Sequence, residues 1–131
     1  MTRRLGSNRA LVLDVLRHAD RPLGAYAILD ALRDAGVSGA PTVYRALDQL
    51  IRERHVKRVE SLKAFVIQRD TADAGPVGLA ICDNCGSTME LPLPAIENPL
   101  RRAAAACDFA VDDIVLELHG RCRPCASADT P

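Results

Sequence analysis

"APTVYRALDQLIRERHVKRVESLKAFVIQRD", Ala40 to Asp70, is the stretch on which the fold turns. Its first part sets Val43, Ala46, Leu47, Leu50 and Ile51 at i, i+3, i+4, i+7 and i+8, one apolar stripe of a 3.6-residue helix, and Pro41 suits the first helical turn. Directly after it, "HVKRVES" (55–61) and "KAFVIQRD" (63–70) are short β-prone runs split by a polar connection around Ser61 to Lys63. A helix running straight into a hairpin is the second half of a winged helix-turn-helix, so two more helices are expected upstream.

Upstream, "SNRALVLDVLRHAD" (7–20) repeats Leu11, Val12, Val15 and Leu16 at helical spacing, with Ser7 or Asn8 available as N-cap. "PLGAYAILDALRDAG" (22–36) puts Ala25, Ile28, Leu29 and Leu32 on one face and ends at Gly36, a residue suited to the left-handed position after a helix. Downstream, "DTADAGPVG" (70–78) is small, polar and aperiodic, the composition of a linker. Beyond it "LAIC", "TMELPL" and "DIVLELHG" read as strands and "NPLRRAAAAC" as a helix. Proline inside a helix costs ~3 kcal/mol, so this helix is expected to start at Pro99 with Asn98 as its cap. The expected architecture is α+β: a winged helix over 1–69, a linker over 70–78 and a small α/β domain over 79–131.

The 131 residues are 48% apolar, which excludes a disordered chain, yet only 3% aromatic, so aliphatic side chains must fill the cores. Cores this small gain from a staple. No apolar run approaches the ~20 residues that cross a bilayer, and "MTRRLGSNRA" lacks the apolar segment of a secretory signal. A cytoplasmic location is therefore expected. In that reducing compartment paired cysteines are metal ligands or redox groups more often than disulfides.

Four of the five cysteines stand in two Cys-x-x-Cys pairs, Cys82 with Cys85 and Cys122 with Cys125. Two such knuckles bring four thiolates within reach of one tetrahedral Zn²⁺, and their long separation means that the ion would clamp the two ends of the C-terminal unit together. A closed four-sulfur site leaves no position for a substrate, so its role is structural. The redox alternative asks for a single Cys-x-x-Cys at a helix start in a βαβ setting, and a nucleobase deaminase needs a His-x-Glu that the chain lacks. Cys107 reads as a small buried residue on a helix face. His18 suits a helix C-terminus, and His119 reads as a strand residue or a partner behind the metal ligands. Nucleophile, base and orienting group occur nowhere together, so an enzyme is not expected.

Net charge is zero but uneven: residues 1–60 carry 11 Lys and Arg against 7 Asp and Glu, and residues 61–131 carry 6 against 10. The first half suits a polyanion. On the third helix the side opposite Val43, Leu47 and Leu50 offers Thr42, Tyr44, Arg45, Asp48 and Gln49. Arg45 can bond guanine or phosphate, and Tyr44 can meet a thymine methyl or a phosphate. The competing reading is a solvated surface helix.

"AYAILDAL", "PTVYRALDQL", "VESLKAFV", "LAICDNCG" and "ELHGRCRPC", in this order from about Arg4 to Cys125, resemble the ferric uptake regulator family, nearest its zinc uptake regulator branch. The resemblance implies a metal-dependent transcriptional repressor that binds double-stranded DNA, with a C-terminal dimerisation domain. In a homodimer two recognition helices would lie one helical turn, ~34 Å, apart on a palindromic operator. It places Tyr44 and Arg45 at the family's base-reading positions, Arg4 and Arg9 near the minor groove and backbone, and the four cysteines on a structural zinc site, one ion per chain.

Two departures bear on sensing. Family members carry a further helix ahead of the position of Arg4, so some N-terminal DNA or hinge contacts are expected to be missing. The regulatory site of the zinc branch takes a His after the recognition helix, a Cys or acid at the end of the wing, a His in the interdomain loop and a Glu after the first knuckle. Lys57, Gln68, about Gly75 and Glu90 stand there. Only Glu90 can ligate, so a second, regulatory zinc is not carried over. A rebuilt site would draw on His55, Asp70, Asp73 and Glu90; against it, a His at a helix end caps carbonyls and linker aspartates are solvated. DNA binding without added metal is the expectation. The alternative function is a zinc-stabilised dimerisation module that modulates a full-length relative.

Overall fold

A computed structural model describes residues 5–68 and 77–128. The helices α1 (Leu5–His18), α2 (Ala25–Leu32) and α3 (Ala40–Arg52) precede a hairpin of β1 (Val56–Val59) and β2 (Ala64–Ile67). Next come β3 (Val77–Cys82), β4 (Thr88–Pro92), α4 (Pro94–Ala105), β5 (Glu117–Gly120) and α5 (Arg123–Ala128). Mixed helices and strands in this order are the expected α+β class.

Periodicity explains the first core. Val43, Ala46, Leu47 and Leu50 of α3 pack with Val12 and Leu16 of α1 and with Ala25, Ile28, Leu29 and Leu32 of α2, all of them buried. A 3₁₀ turn, Arg33–Ala35, follows α2 and ends at Gly36 with φ +90°, a conformation that costs a residue with a Cβ. Ser7 and Asn8 lie inside α1 rather than capping it, because the helix already runs from Leu5. The segment before α2 adds a third strand position to the hairpin: Leu23 and Phe65 exchange both backbone hydrogen bonds, at 3.0 and 2.8 Å.

The hairpin is buried on both faces, which is why "AFVI" reads as a continuous apolar run rather than an alternating one. Val56 and Phe65 belong to the helical core. Val59 and Val66, on the other face, form a second buried cluster with Leu79 and Ile81 of β3. The hairpin therefore joins the N-terminal half to the C-terminal sheet.

That sheet has the order β4-β3-β5, with β3 antiparallel to β4 and parallel to β5. Val77 and Gly78, given to the linker on composition, are the first residues of β3. The strand expected over 113–120 shortens to Glu117–Gly120. Helix α4 begins at Pro94, not at Pro99, and carries Pro99 in its interior. Pro94 supplies the earlier start, while Pro99, the sixth residue of the helix, leaves the Ala95 carbonyl without the bond a residue with an N–H would give it. Cys107 falls in the turn after α4, ahead of Asp108 at φ +58°, and is exposed, not on a buried helix face. No residue of α4 is buried within the chain. With β4 and β5 it lines an apolar groove of about 500 Å³, walled by Leu91, Ile96, Leu100, Leu116 and Leu118 among others.

Candidate DNA-reading surface and metal centre

Helix α3 has its buried side at zero exposure for Val43, Ala46 and Leu47, so its other side must face outward. There Tyr44 is 45% exposed, Arg45 and Asp48 are exposed, and Thr42 and Gln49 are half-buried. Thr42, Tyr44 and Arg45 lie in the first half of the helix, the part that meets base edges when such a helix enters a major groove. Sequence reasoning missed Tyr26, which is 68% exposed in the first turn of α2. Its signal was present: an aromatic residue just off the apolar face of Ala25, Ile28, Leu29 and Leu32.

Of the two arginines assigned to the N-terminal contacts, Arg4 lies outside the described residues. Arg9, on α1, has its guanidinium Nη1 2.6 Å from both carboxylate oxygens of Glu53, just past the end of α3. A phosphate would have to compete with that partner. His18 closes α1 with a ring nitrogen 2.8 Å from the Asp14 carbonyl oxygen.

Two knuckles build the metal centre. The first is a turn between β3 and β4: Cys82 N–H donates to Ser87 O at 2.9 Å, Gly86 N–H donates to Cys82 O at 2.9 Å, and Cys85 N–H points at Cys82 Sγ at 3.4 Å. Gly86 takes φ +81°, and a Cβ there would lie 2.9 Å from Arg21 Cβ, so glycine is required twice over. The second knuckle follows β5. Cys122 precedes α5 and Cys125 lies inside it, so only the first pair closes on strands at both sides. Parallel pairing of β3 with β5 puts Cys82 opposite Gly120 and so brings the knuckles together.

All four ligand atoms lie within 4.8 Å of one another, and Cys85 Sγ is 3.8 Å from Cys122 Sγ. A tetrahedron with Zn–S bonds of ~2.3 Å has edges of ~3.8 Å, so Cys85 and Cys122 stand at zinc spacing and no pair exceeds that edge by more than ~1 Å. Their ionisation is divided. The Cys85 amide, then that of Cys122, holds the Cys82 thiol down from 9.0 to about 6. The Ser87 hydroxyl, followed by its amide, lowers Cys85. Cys125 goes up to about 12: the Asn84 side chain favours its thiolate, but the crowding sulfurs of Cys122, Cys82 and Cys85 outweigh it. Four thiolates this close require a cation, and a bound divalent ion removes the conflict. A four-sulfur convergence is also what a two-cysteine redox site lacks.

Of the four residues of the rebuilt regulatory site only His55 and Glu90 are among the described residues, where the four cysteines form the only cluster of three or more His, Cys, Asp and Glu suited to a metal. His55 is exposed after α3, and Glu90 lies on β4 opposite Leu79. Asp70 and Asp73 lie outside the described residues. His119, on β5, turns its ring nitrogens to two oxygens. Its Nδ1 is 2.7 Å from Asp83 Oδ1 and its Nε2 2.7 Å from Ser61 Oγ in the hairpin turn.

Glu117, two residues before His119, accepts from the backbone N–H groups of Glu60 and Ser61 at 2.6 and 2.9 Å. Partial burial raises its carboxyl, but hydrogen bonds from the Ser61 side chain and amide and the Glu60 amide, with the nearby His119 ring, leave it below the usual 4.5. A depressed carboxyl stabilises the folded chain above its unfolded value and loses that contribution as pH falls through its folded value. The advantage of the wild type over Glu117→Gln in thermal midpoint is therefore expected to be full at neutral pH and to shrink below pH 4.5, as calorimetry at stepped pH would measure.

The sequence profile of the ferric uptake regulator family matches residues 2–119. The zinc uptake regulation protein of Escherichia coli (strain K12) is 34% identical over 128 residues, 96% of this chain and 75% of that protein. Among solved structures, a zinc uptake regulator complexed with zinc and DNA superposes with a TM-score of 0.83 at 34% identity, over 98% of this chain and 87% of that one. The structure of holo XcZur gives 0.80 at 39% identity, over 95% and 87%.

Proposed function

Since the chain belongs to the ferric uptake regulator family, we propose that it is a cytoplasmic homodimeric transcriptional repressor that reads a palindromic operator with α3 and holds one structural zinc per chain on Cys82, Cys85, Cys122 and Cys125. The observation that carries the reading is the outward presentation of Thr42, Tyr44 and Arg45 over a fully buried opposite face, on a fold shared with a zinc uptake regulator complexed with zinc and DNA. Tyr44 and Arg45 take the base edges. Tyr26, at the start of the helix that crosses the backbone, takes a phosphate, and Arg4 and Arg9 support it. Regulators of this family act by binding, and the closed metal centre leaves no position for a reactant.

The apolar groove along α4, with Met89, Leu100, Phe109, Val115 and Leu118 exposed around the C-terminal half, supports the second copy as its cover. On this reading the chain divides into a DNA-binding unit over 1–69, a hinge that ends before Val77 and a zinc-stapled dimerisation unit from β3 onward. No helix among the described residues is long and apolar enough to cross a membrane.

Lys57 and Gln68 offer no zinc ligand where the zinc branch places two, so operator binding is expected to need no added metal. Fluorescence anisotropy on an operator duplex, before and after a chelator that strips exchangeable metal but spares thiolate-bound zinc, measures this. Unchanged affinity with one zinc per chain is the expected result, and abolished binding would reveal a rebuilt sensor. Affinity should fall steeply with salt, since phosphate contacts release counterions.

A further inference from the structure

The hairpin turn does not project as a free wing. It sits on β5, the strand that leads into the second zinc knuckle, and three side chains hold it there. Glu117 and His119 are two apart on β5 and so share one face of the strand. Glu117 takes the Glu60 and Ser61 amides, and the His119 ring spans from Ser61 Oγ to Asp83 Oδ1. Asp83 lies inside the first knuckle, between Cys82 and Cys85, and its own amide donates to Gly120 O at 2.8 Å. Beneath these bonds lies the buried cluster of Val59, Val66, Leu79 and Ile81. Helix α3 runs into β1 through Glu53, Arg54 and His55, with the His55 amide bonded to Leu50 O at 2.9 Å, so a fixed hairpin fixes the direction of α3.

We propose that Glu117, His119 and Ser61 form a latch that positions the DNA-reading helix: the zinc knuckle orients Asp83, Asp83 orients His119, and the hairpin turn is thereby held in the arrangement that fits a duplex. The latch rests on the DNA-binding reading above and adds to it the means by which orientation is kept by the chain's own groups. It predicts a specific signature. A latch residue touches no DNA, so losing it reduces the fraction of competent molecules while the contacts made by each competent molecule stay the same. Apparent affinity falls in proportion to that fraction, and the salt dependence does not change.

The test uses full-length Glu117→Ala and His119→Phe, with Ser61→Ala as the least invasive variant and Ser61→Thr as the conservative one. Operator affinity, its salt slope, zinc per chain and the small-angle scattering profile are measured for each. The bonds to the Glu60 amide and to the Ser61 amide and side chain are lost in Glu117→Ala, so a fall in affinity of about 10- to 100-fold is expected, with unchanged slope, unchanged zinc and a larger maximum dimension. Ser61→Thr keeps the hydroxyl and should keep wild-type affinity. Unchanged affinity in Glu117→Ala and His119→Phe overturns the proposal, and so does a fall that comes with lost zinc or a shallower salt slope. If the wild type binds no duplex, the DNA-binding reading fails on its own, and the latch is decided by scattering: profiles identical to wild type overturn it.

Discussion

Cys122→Ser is expected to purify with almost no zinc and to lose cooperative unfolding of its C-terminal half. The buried residues of that half are few, chiefly Val77, Leu79, Ile81, Cys82 and Leu93, and two of them are shared with the hairpin. A structural zinc on thiolates binds with an apparent ~10–16 kcal/mol at neutral pH, as much as the whole stability of an ordinary domain, ~5–15 kcal/mol. Three sulfurs cannot close the tetrahedron, and the crowding that pushes Cys125 up to about 12 is then relieved by protonation instead of by metal. Helices α1 to α3 keep their own core, so a circular-dichroism melt should retain a helical transition while the part due to the sheet disappears. Metal-free protein that still melts as the wild type does would contradict the assignment of these cysteines.

Arg45→Ala should have the largest effect on DNA without any effect on folding. A bidentate contact to a base is worth ~1–3 kcal/mol, and a homodimer makes it twice, so ~2–6 kcal/mol of operator affinity is at stake, ~30-fold to ~10⁴-fold. Tyr44→Ala should weaken binding as well, by less. Both side chains are exposed on a helix whose opposite face is sealed, so zinc content and thermal midpoint should match the wild type. Titration of each variant against operator and scrambled duplexes checks this, and loss confined to the operator marks base reading. Equal affinity of Arg45→Ala and wild type would leave α3 without its assigned role.

How much of this was legible in the sequence depends on distance along the chain. Helix α3 and its outward residues followed from a spacing of three and four, and the hairpin from two short runs next to it. The metal centre was legible across a longer gap because Cys-x-x-Cys is a pattern in itself. Pro99 was misleading because Pro94, five residues earlier, already supplies a favourable first turn, and the helix opened there runs on through Pro99 in spite of the bond lost to Ala95. Cys107 was misplaced separately, because the run of alanines before it hides the chain reversal at Asp108, φ +58°, that leaves it in an exposed turn. The latch had no local signature at all. Glu117 and Ser61 are 56 residues apart, and nothing in "ELHG" says that its acid and its imidazole will meet a turn.

Helix α4 hides none of its residues inside its own chain. A lone subunit would thus be left unsealed along one flank, so dilution below the pairing concentration is expected to speed limited proteolysis at α4.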